Sequence, residues 1–247
     1  MRFRNIFKSD IKDTRLRILD SFLNPYYQQH NVARLCHLES LGLDLSNKKV
    51  LEFGAGVGDH TIYYLFKNCN VLPTDARLEL VEIIKNRYGI RAEVFDAEKD
   101  LEKLEEFEYF NIIHCYGVLY HLNNPEKFIE AVSSIGETLL LETCVSPDHR
   151  PVDVYCIKEN HNDLTQAVSG IGCRPSRKWV ENELKKYFEF VYYPKTQPDH
   201  LEFPLDWNSQ PQESLIRAIF IASHIEIINS NLTRKMPNIY EKMKRYL

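Results

Sequence analysis

The stretch Glu52-Phe53-Gly54-Ala55-Gly56-Val57-Gly58 sets an acidic residue ahead of three alternate glycines, directly after the apolar pair Val50-Leu51. A strand that breaks into a glycine turn and then a helix holds part of a nucleotide, because glycine lets the backbone approach a ligand with no Cβ in the way. The pattern E-x-G-x-G-x-G is not the dinucleotide pattern G-x-G-x-x-G, and NAD, a nucleoside triphosphate and S-adenosylmethionine all use turns of this general kind. Three further apolar runs also end in polar or glycine residues. Asp75-Ala76 ends the second, where a carboxylate can accept both hydroxyls of a ribose. Asp96-Ala97 ends the third, where a carboxylate and a backbone N–H can meet an adenine, and Tyr116-Gly117 ends the fourth, in CYGVLYHLNNP.

Two histidines are placed to move a proton. His121 follows the fourth run, and an unperturbed imidazole titrates at about 6.5, which suits a general base; it can equally pack against a cofactor or cap the next helix. His149 lies in ETCVSPDHRPV after the fifth run, with Asp148 before it and Glu142 near the run's end. It is either a base with a carboxylate partner or a solvated loop residue. In GIGCRPSRKWV, Arg174 and Arg177 flank a helix start that Ser176 can cap. Two guanidiniums there make a site for phosphate or carboxylate, or else pair with acidic neighbours. Gln166 on the same insertion, and Gln197, His200 and Trp207 in TQPDHLEFPLDWN, are candidate acceptor contacts; Trp207 is as readily a packing anchor. Tyr120 reads as packing, His114 as a core residue, and His60 as either a neighbour of a cofactor's amino-acid end or helix surface. The histidines and acids lack helix-borne ligand spacing, so no metal is expected.

The elements that must position these groups alternate. Helical patterns at 10–22 and 30–41 lead into the strand KVLEF, a helix at 57–67, the strand NVLPTD, a helix at 78–88, the strand RAEVFD, the strand YFNIIHCYG, a helix at 125–134 and the strand ETLLLETCV. After a polar insertion at 144–176 come a helix at 177–187 and the strands FEFVYYP and SLIRAIFIASH. Short apolar strands between helices predict a Rossmann-like parallel sheet covered on both faces, and a long connection of this kind is a lid or substrate loop. The tail RKMPNIYEKMKRYL is expected to form a terminal amphipathic helix, able to support a homodimer although a monomer serves as well.

The resulting expectation is one domain: a helical lid at 1–45, a cofactor core at 48–143, the insertion at 144–176, and the rest of the sheet with the terminal helix at 177–247. Across 247 residues, 31 basic and 35 acidic side chains leave a net charge of −4, which advertises neither nucleic acid nor an anionic membrane. No apolar run approaches the roughly 18 residues of a membrane span, and six scattered cysteines without a C-x-x-C pair read as reduced thiols in a cytoplasmic protein.

Taken together, these motifs resemble the class I S-adenosylmethionine-dependent methyltransferases over about residues 48–143 and the late strands. Glu52, Gly54, Ala55, Gly56 and Gly58 match that family's first motif, Asp75-Ala76 its ribose carboxylate, Asp96-Ala97 its adenine contact, and Tyr116-Gly117 with VLYHLNNP its fourth motif. The resemblance implies S-adenosyl-L-methionine as cofactor and a seven-stranded sheet whose last strand, RAIFIAS, runs antiparallel. It also implies a closing helix from which Arg34, with His37 one turn on, can meet the cofactor's methionine carboxylate, helped by Tyr26 and Tyr27; the alternative for that face is simple solvation. HNVARLCHLESLGL, LLLETCV, GIGCRPSRKWV and TQPDHLEFPLDW are similar to a bacterial branch linked with modification of sugars and other small secondary products. The expected activity is methyl transfer, most simply to oxygen, on a small molecule, sugar or nucleotide-linked intermediate. Two alternatives stand beside it: a tRNA-modifying methyltransferase, since GVLYHL also resembles motifs of wobble-uridine enzymes, and a cofactor-binding partner protein without activity.

Overall fold

The computed structural model describes residues 16, 18, 20–147, 154–209 and 215–243. Asn24 caps helix α1 (Pro25–Ser40) by accepting a hydrogen bond from Tyr27 N–H, and Pro25 at its first position has no N–H to leave unpaired. The helix therefore begins five residues before the 30–41 pattern; the 10–22 pattern lies mostly outside the described residues. The buried face of α1 carries His30, Asn31, Arg34 and His37 beside Ala33 and Leu38.

The core sheet has strands β1 (Lys49–Phe53), β2 (Asn70–Asp75), β3 (Glu93–Val94), β4 (Phe110–Tyr116), β5 (Gly136–Val145), β8 (Phe190–Pro194), β10 (Ile216–Ser223) and β11 (Leu232–Thr233). Their order is β11-β8-β10-β5-β4-β1-β2-β3. Strands β3, β2, β1, β4 and β5 pair in parallel, and β10 lies antiparallel between β5 and β8, as expected for the last long strand. The sheet has eight strands rather than seven because the two-residue β11 adds an edge to β8.

Alternate side chains feed two cores. Leu51, Ile113, Leu139 and Phe220 pack with Phe128 and Ile129 of α4 (Pro125–Ile135) and Val180 and Leu184 of α5 (Arg177–Tyr187). Val50, Ile112, Leu140 and Ile221 face Leu38 of α1 and Tyr64 of α2 (Thr61–Phe66). Helix α3 (Leu78–Tyr88) packs Leu80, Val81 and Ile84 beside the glycine turn.

Three expectations need correction. Helix α2 spans Thr61–Phe66, not 57–67, because Gly54, Gly56 and Gly58 all sit at left-handed φ (63°, 57° and 84°) and hold the chain in a turn. The 144–176 insertion is not all loop: β6 (Val154–Lys158) and β7 (Ile171–Pro175) form an antiparallel hairpin. The tail is not a helix over its described part. Pro237 lacks an N–H and disfavours helix before it, and the chain runs extended, with β12 (Glu241–Lys242) pairing β9 (Thr196–Gln197) and Ile239 bridging Asp206.

Candidate functional site

A cavity of about 720 Å³ opens beyond the carboxyl ends of β1, β2, β3 and β4, the place where an open α/β sheet binds ligands. Gly54, Gly56, Asp75, Ala76, Asp96, Ala97, Tyr116 and Gly117 all line it. Each glycine of the turn has its own reason. A Cβ on Gly54 would fall 2.3 Å from Val118, and one on Gly58 would fall 2.6 Å from Tyr88, where the turn meets α3. Gly56 lies under the Phe22 ring, 2.9 Å from where a Cβ would stand.

Asp75 is buried, and its two carboxylate oxygens are fixed by Gly56 N–H (3.0 Å) and Arg77 N–H (2.9 Å). Burial raises its pKa to about 6. Glu52 and Ala55 lie off the main cavity, on a void of about 20 Å³ shared with Arg34 and Tyr116. Glu52 accepts from Thr61 Oγ1 (2.6 Å), and burial lifts its carboxyl to about 8. These features fit S-adenosylmethionine: a glycine turn at the strand end with no room for a Cβ, a buried acceptor at the second strand end, and room for a nucleoside toward Phe95 and Asp96.

The acceptor end is more heavily charged. Arg34 Nη2 bonds Glu142 Oε2 (2.5 Å), Arg217 Nη1 bonds Glu142 Oε1 (2.9 Å), and Arg217 Nε bonds Glu202, which also accepts from Tyr26 OH. All four charged residues are buried. Arg34 is buried rather than on a solvated helix face; it lines the cavity and runs against Gly117, with its Nη2 committed to Glu142.

On another wall His121 Nδ1 meets Glu159 Oε2 at 2.5 Å, and Glu159 also accepts from Ala167 N–H (2.7 Å). Burial lowers the His121 pKa while Glu159 pulls it back up. Arg77 N–H holds Asp75, and its Nη2 reaches the carbonyls of His161, Asp163 and Gln166 at 3.0, 2.9 and 3.2 Å. The strand end that carries Asp75 is therefore tied to the loop that follows Glu159.

The structure does not bring Arg174 and Arg177 together as an anion site. Arg174 lines the cavity but bonds Cys173 O (2.7 Å), lies 3.5 Å from Glu159 and stacks on Tyr120. Arg177 turns away from the cavity. It bonds Pro237 O (2.8 Å) and Asn238 Oδ1 (3.2 Å) and stacks 3.8 Å over Trp207, so both residues anchor the C-terminal strap. His200 sits behind the cavity wall, its ring 4.7 Å from that of His30. Gln166 lines the cavity and accepts from Asn160 N–H. Gln197 is buried. His149, with Asp148, lies outside the described residues.

Buried His114 links Tyr64 OH (2.8 Å) to His60 Nδ1 (3.0 Å), which places His60 in the interior rather than on the helix surface. Ligand atoms of Glu52, His60 and His114, and separately of His30, His200 and Glu202, lie within 4.8 Å of one another.

Sequence reasoning missed His30, Glu159, Glu202, Arg217 and Arg77. Two signals were present: Arg217 interrupts the apolar run LIRAIFIAS, and the buried face of α1 is polar at helical spacing.

Comparison with known proteins agrees with this geometry. The chain is similar to the tRNA U34 carboxymethyltransferase of Helicobacter acinonychis, 29% identical over 159 residues covering 58% of this chain and 60% of that protein. The Helicobacter pylori P12 enzyme of the same name is 28% identical over 159 residues, with the same coverage. The chain thus spans about 60% of the length of these curated relatives. Those names leave the low expectation of a nucleic-acid partner without support. Among solved structures, the N-terminal domain of EvdMO1 with SAH bound superposes with TM-score 0.57 at 17% identity, over 79% of this chain and 80% of that one. Magnesium protoporphyrin IX methyltransferase from Synechocystis PCC 6803 with bound SAM gives 0.52 at 14% identity, over 81% and 80%. Both show a shared fold, and no described helix is long and apolar enough to cross a membrane. Residues 24–204 match the family model described as a methyltransferase domain, and with glycine turn, strand-end carboxylate and sheet order in place, the chain belongs to the class I S-adenosylmethionine-dependent methyltransferases.

Proposed function

We propose that this protein methylates a hydroxyl of a small, neutral, polyhydroxylated molecule such as a sugar. The observation that carries this reading is the His121–Glu159 pair on the cavity wall, four residues beyond the Gly117 strand end. S-adenosylmethionine, when bound, supplies a methyl group on an already electrophilic sulfonium, so the chain's task is to hold the acceptor in line and dry. Gly54, Gly56, Asp75, Asp96 and Ala97 are the residues that would hold the nucleoside.

Glu159 engages Nδ1 of His121 and leaves Nε2 to take the acceptor's proton. Burial keeps that imidazole neutral at neutral pH, the form a base needs. The buried guanidiniums at this end are paired within the fold: Arg34 and Arg217 with Glu142 and Glu202, and Arg174 with Glu159. An anionic group would have to displace one of those carboxylates to reach them, which favours a neutral acceptor over one held by these arginines; exposed Lys158 is a further cation on the cavity. EvdMO1, whose fold is shared, has also been crystallised in the presence of SAH and D-fucose.

The test is to incubate the protein with S-adenosylmethionine and a panel of neutral pyranosides, with nucleotide-linked sugars as the anionic contrast, reading S-adenosylhomocysteine release and product mass; transfer to the nucleotide-linked sugars alone overturns the neutral-acceptor reading. His121→Ala is expected to cut turnover about 10²–10⁴-fold with unchanged affinity for S-adenosylhomocysteine. Equal turnover in the variant overturns the assignment of the base. The second reading, modification of a tRNA wobble uridine, is favoured by the 27–29% identity to enzymes of that name. Transfer to tRNA, with none to sugars, would establish it instead.

A further inference from the structure

The hairpin that carries Arg174 and leads into Glu159 also holds two of the six cysteines. Cys156 on β6 and Cys173 on β7 are partners in the strand register. Further along the same ladder Glu159 N–H bonds Gly170 O (2.9 Å), which makes those two residues a hydrogen-bonded pair. Pair types alternate along an antiparallel ladder, so Cys156 and Cys173, three steps away, form a non-hydrogen-bonded pair. Such partners have Cα atoms about 4.5 Å apart and side chains on one face. A disulfide spans Cα atoms about 4.4–6.8 Å apart. Among the described residues, no other two cysteines stand opposite each other in a ladder.

The two thiols differ in access. Cys156 is exposed. Cys173 is buried, its Sγ lies 3.5 Å from Leu119 O, and burial pushes its pKa up to about 12. An exposed thiol meets an oxidant first, and a second thiol beside it then closes the bond. The hairpin is also part of the acceptor wall. Ile157, Glu159 and Arg174 line the cavity, and Glu159 engages His121. Leu119, which Cys173 touches, opens the turn Leu119–His121.

We propose that Cys156 and Cys173 are an oxidisable pair, whose disulfide locks the hairpin behind the acceptor wall and leaves the cofactor end untouched. Hydrogen peroxide oxidises the Cys156 thiolate to a sulfenic acid and is itself reduced to hydroxide, which takes up a proton. The Cys173 sulfur then attacks the Cys156 sulfur, the S–S bond forms, and the sulfenic oxygen leaves as water with the Cys173 proton. One peroxide thus becomes two waters as the pair loses two electrons and two protons. A disulfide with one exposed sulfur stays open to a thiol reductant, so the step reverses. Bond formation is independent of the acceptor's identity. Its consequence for catalysis rests on the His121–Glu159 reading given above, which the sugar panel tests separately.

The experiment treats the fully reduced chain, loaded with S-adenosylhomocysteine, with one equivalent of hydrogen peroxide. Expected are a mass lower by two hydrogens, a peptide joining Cys156 to Cys173 in a non-reducing digest, and reversal by dithiothreitol. Amide exchange over residues 154–175 should slow about tenfold or more in the oxidised form, with S-adenosylhomocysteine affinity unchanged by calorimetry. Cys156→Ser, at an exposed position, should abolish both the cross-link and the slowing. Cys173→Ser should leave a sulfenic acid at Cys156 that dimedone traps. Wild-type oxidation that stops at a sulfenic or sulfinic acid on Cys156, or that links two chains through Cys36, overturns the pair. A cross-link with unchanged exchange, or with weakened S-adenosylhomocysteine binding, overturns its action on the acceptor wall alone.

Discussion

Around the cofactor end of the cavity, the lining residues lie in short runs at consecutive strand ends: Gly54 and Gly56, Asp75 to Arg77, Phe95 to Glu98, and Tyr116 to Val118. Around the acceptor end they come from segments far apart in the chain: His30 and Arg34 on α1, Tyr120 and His121 after β4, Glu159 and Arg174 on the hairpin, Glu202 in a late loop and Arg217 on β10. The first group is held mostly by backbone, through glycine turns and N–H groups directed at Asp75. The second is held by side chains on side chains, in a buried alternation of charges. Backbone geometry is cheap to specify locally and tolerant of neighbours. A buried ion network is neither, since removing one partner leaves an uncompensated charge.

Removal of a member of that network should give the largest effect and separate the two ends. Glu142→Ala leaves Arg34 without its carboxylate and Arg217 with Glu202 alone, and breaking a buried pair costs about 3–5 kcal/mol. A Tm fall of roughly 6–20 °C is expected, read by calorimetry; a fall of only a degree or two would show that the network is a surface-like ornament. At the other end Asp75→Ala should leave Tm close to wild type and weaken S-adenosylhomocysteine about 100-fold or more, since each charged hydrogen bond to ribose is worth about 1.5–3 kcal/mol. NAD binding in place of S-adenosylhomocysteine would contradict the cofactor assignment.

Next in size is Glu159→Gln. Glu159 raises the His121 pKa against the lowering effect of burial, so its neutralisation should move the acid limb of kcat/KM to lower pH and reduce the plateau about tenfold. An upward move of that limb would exclude His121 as the base. Arg77 lies between the two ends. Arg77→Ala should open the loop at 159–170 to proteolysis and raise the acceptor KM several-fold, with Arg77→Lys recovering part of it; cofactor affinity that falls instead would place Arg77 wholly in the first group.

The smallest effect is on pH. Glu52 and Asp75 have folded pKa values raised to about 8 and about 6. The folded state therefore binds more protons than the unfolded one, and apo stability should fall as pH rises from about 5 to 8. Cofactor affinity should change the other way near pH 6, because only ionised Asp75 accepts both ribose hydroxyls. Glu52→Gln should flatten the apo Tm profile by a few degrees while the affinity profile stays.

Much of this was readable in the chain itself. Val50-Leu51, the glycines, Asp75 and Tyr116-Gly117 determined the parallel sheet, the turn and the crevice, because a buried strand, a left-handed turn and a strand-end carboxylate each depend on residues within a few positions of one another. The sequence also placed His121. It could not place Arg177, which reads as an anion ligand beside a helix start but is claimed by Pro237, Asn238 and Trp207. Nor could it show that Pro237 keeps the tail extended as a strap, or that His30 and Glu202, 172 positions apart, share a wall. Charged side chains choose partners by proximity in space, and buried charge forbids leaving one unpaired. Which carboxylate answers which guanidinium was therefore decided only when α1, the hairpin, the late loop and β10 closed over the same end of the sheet.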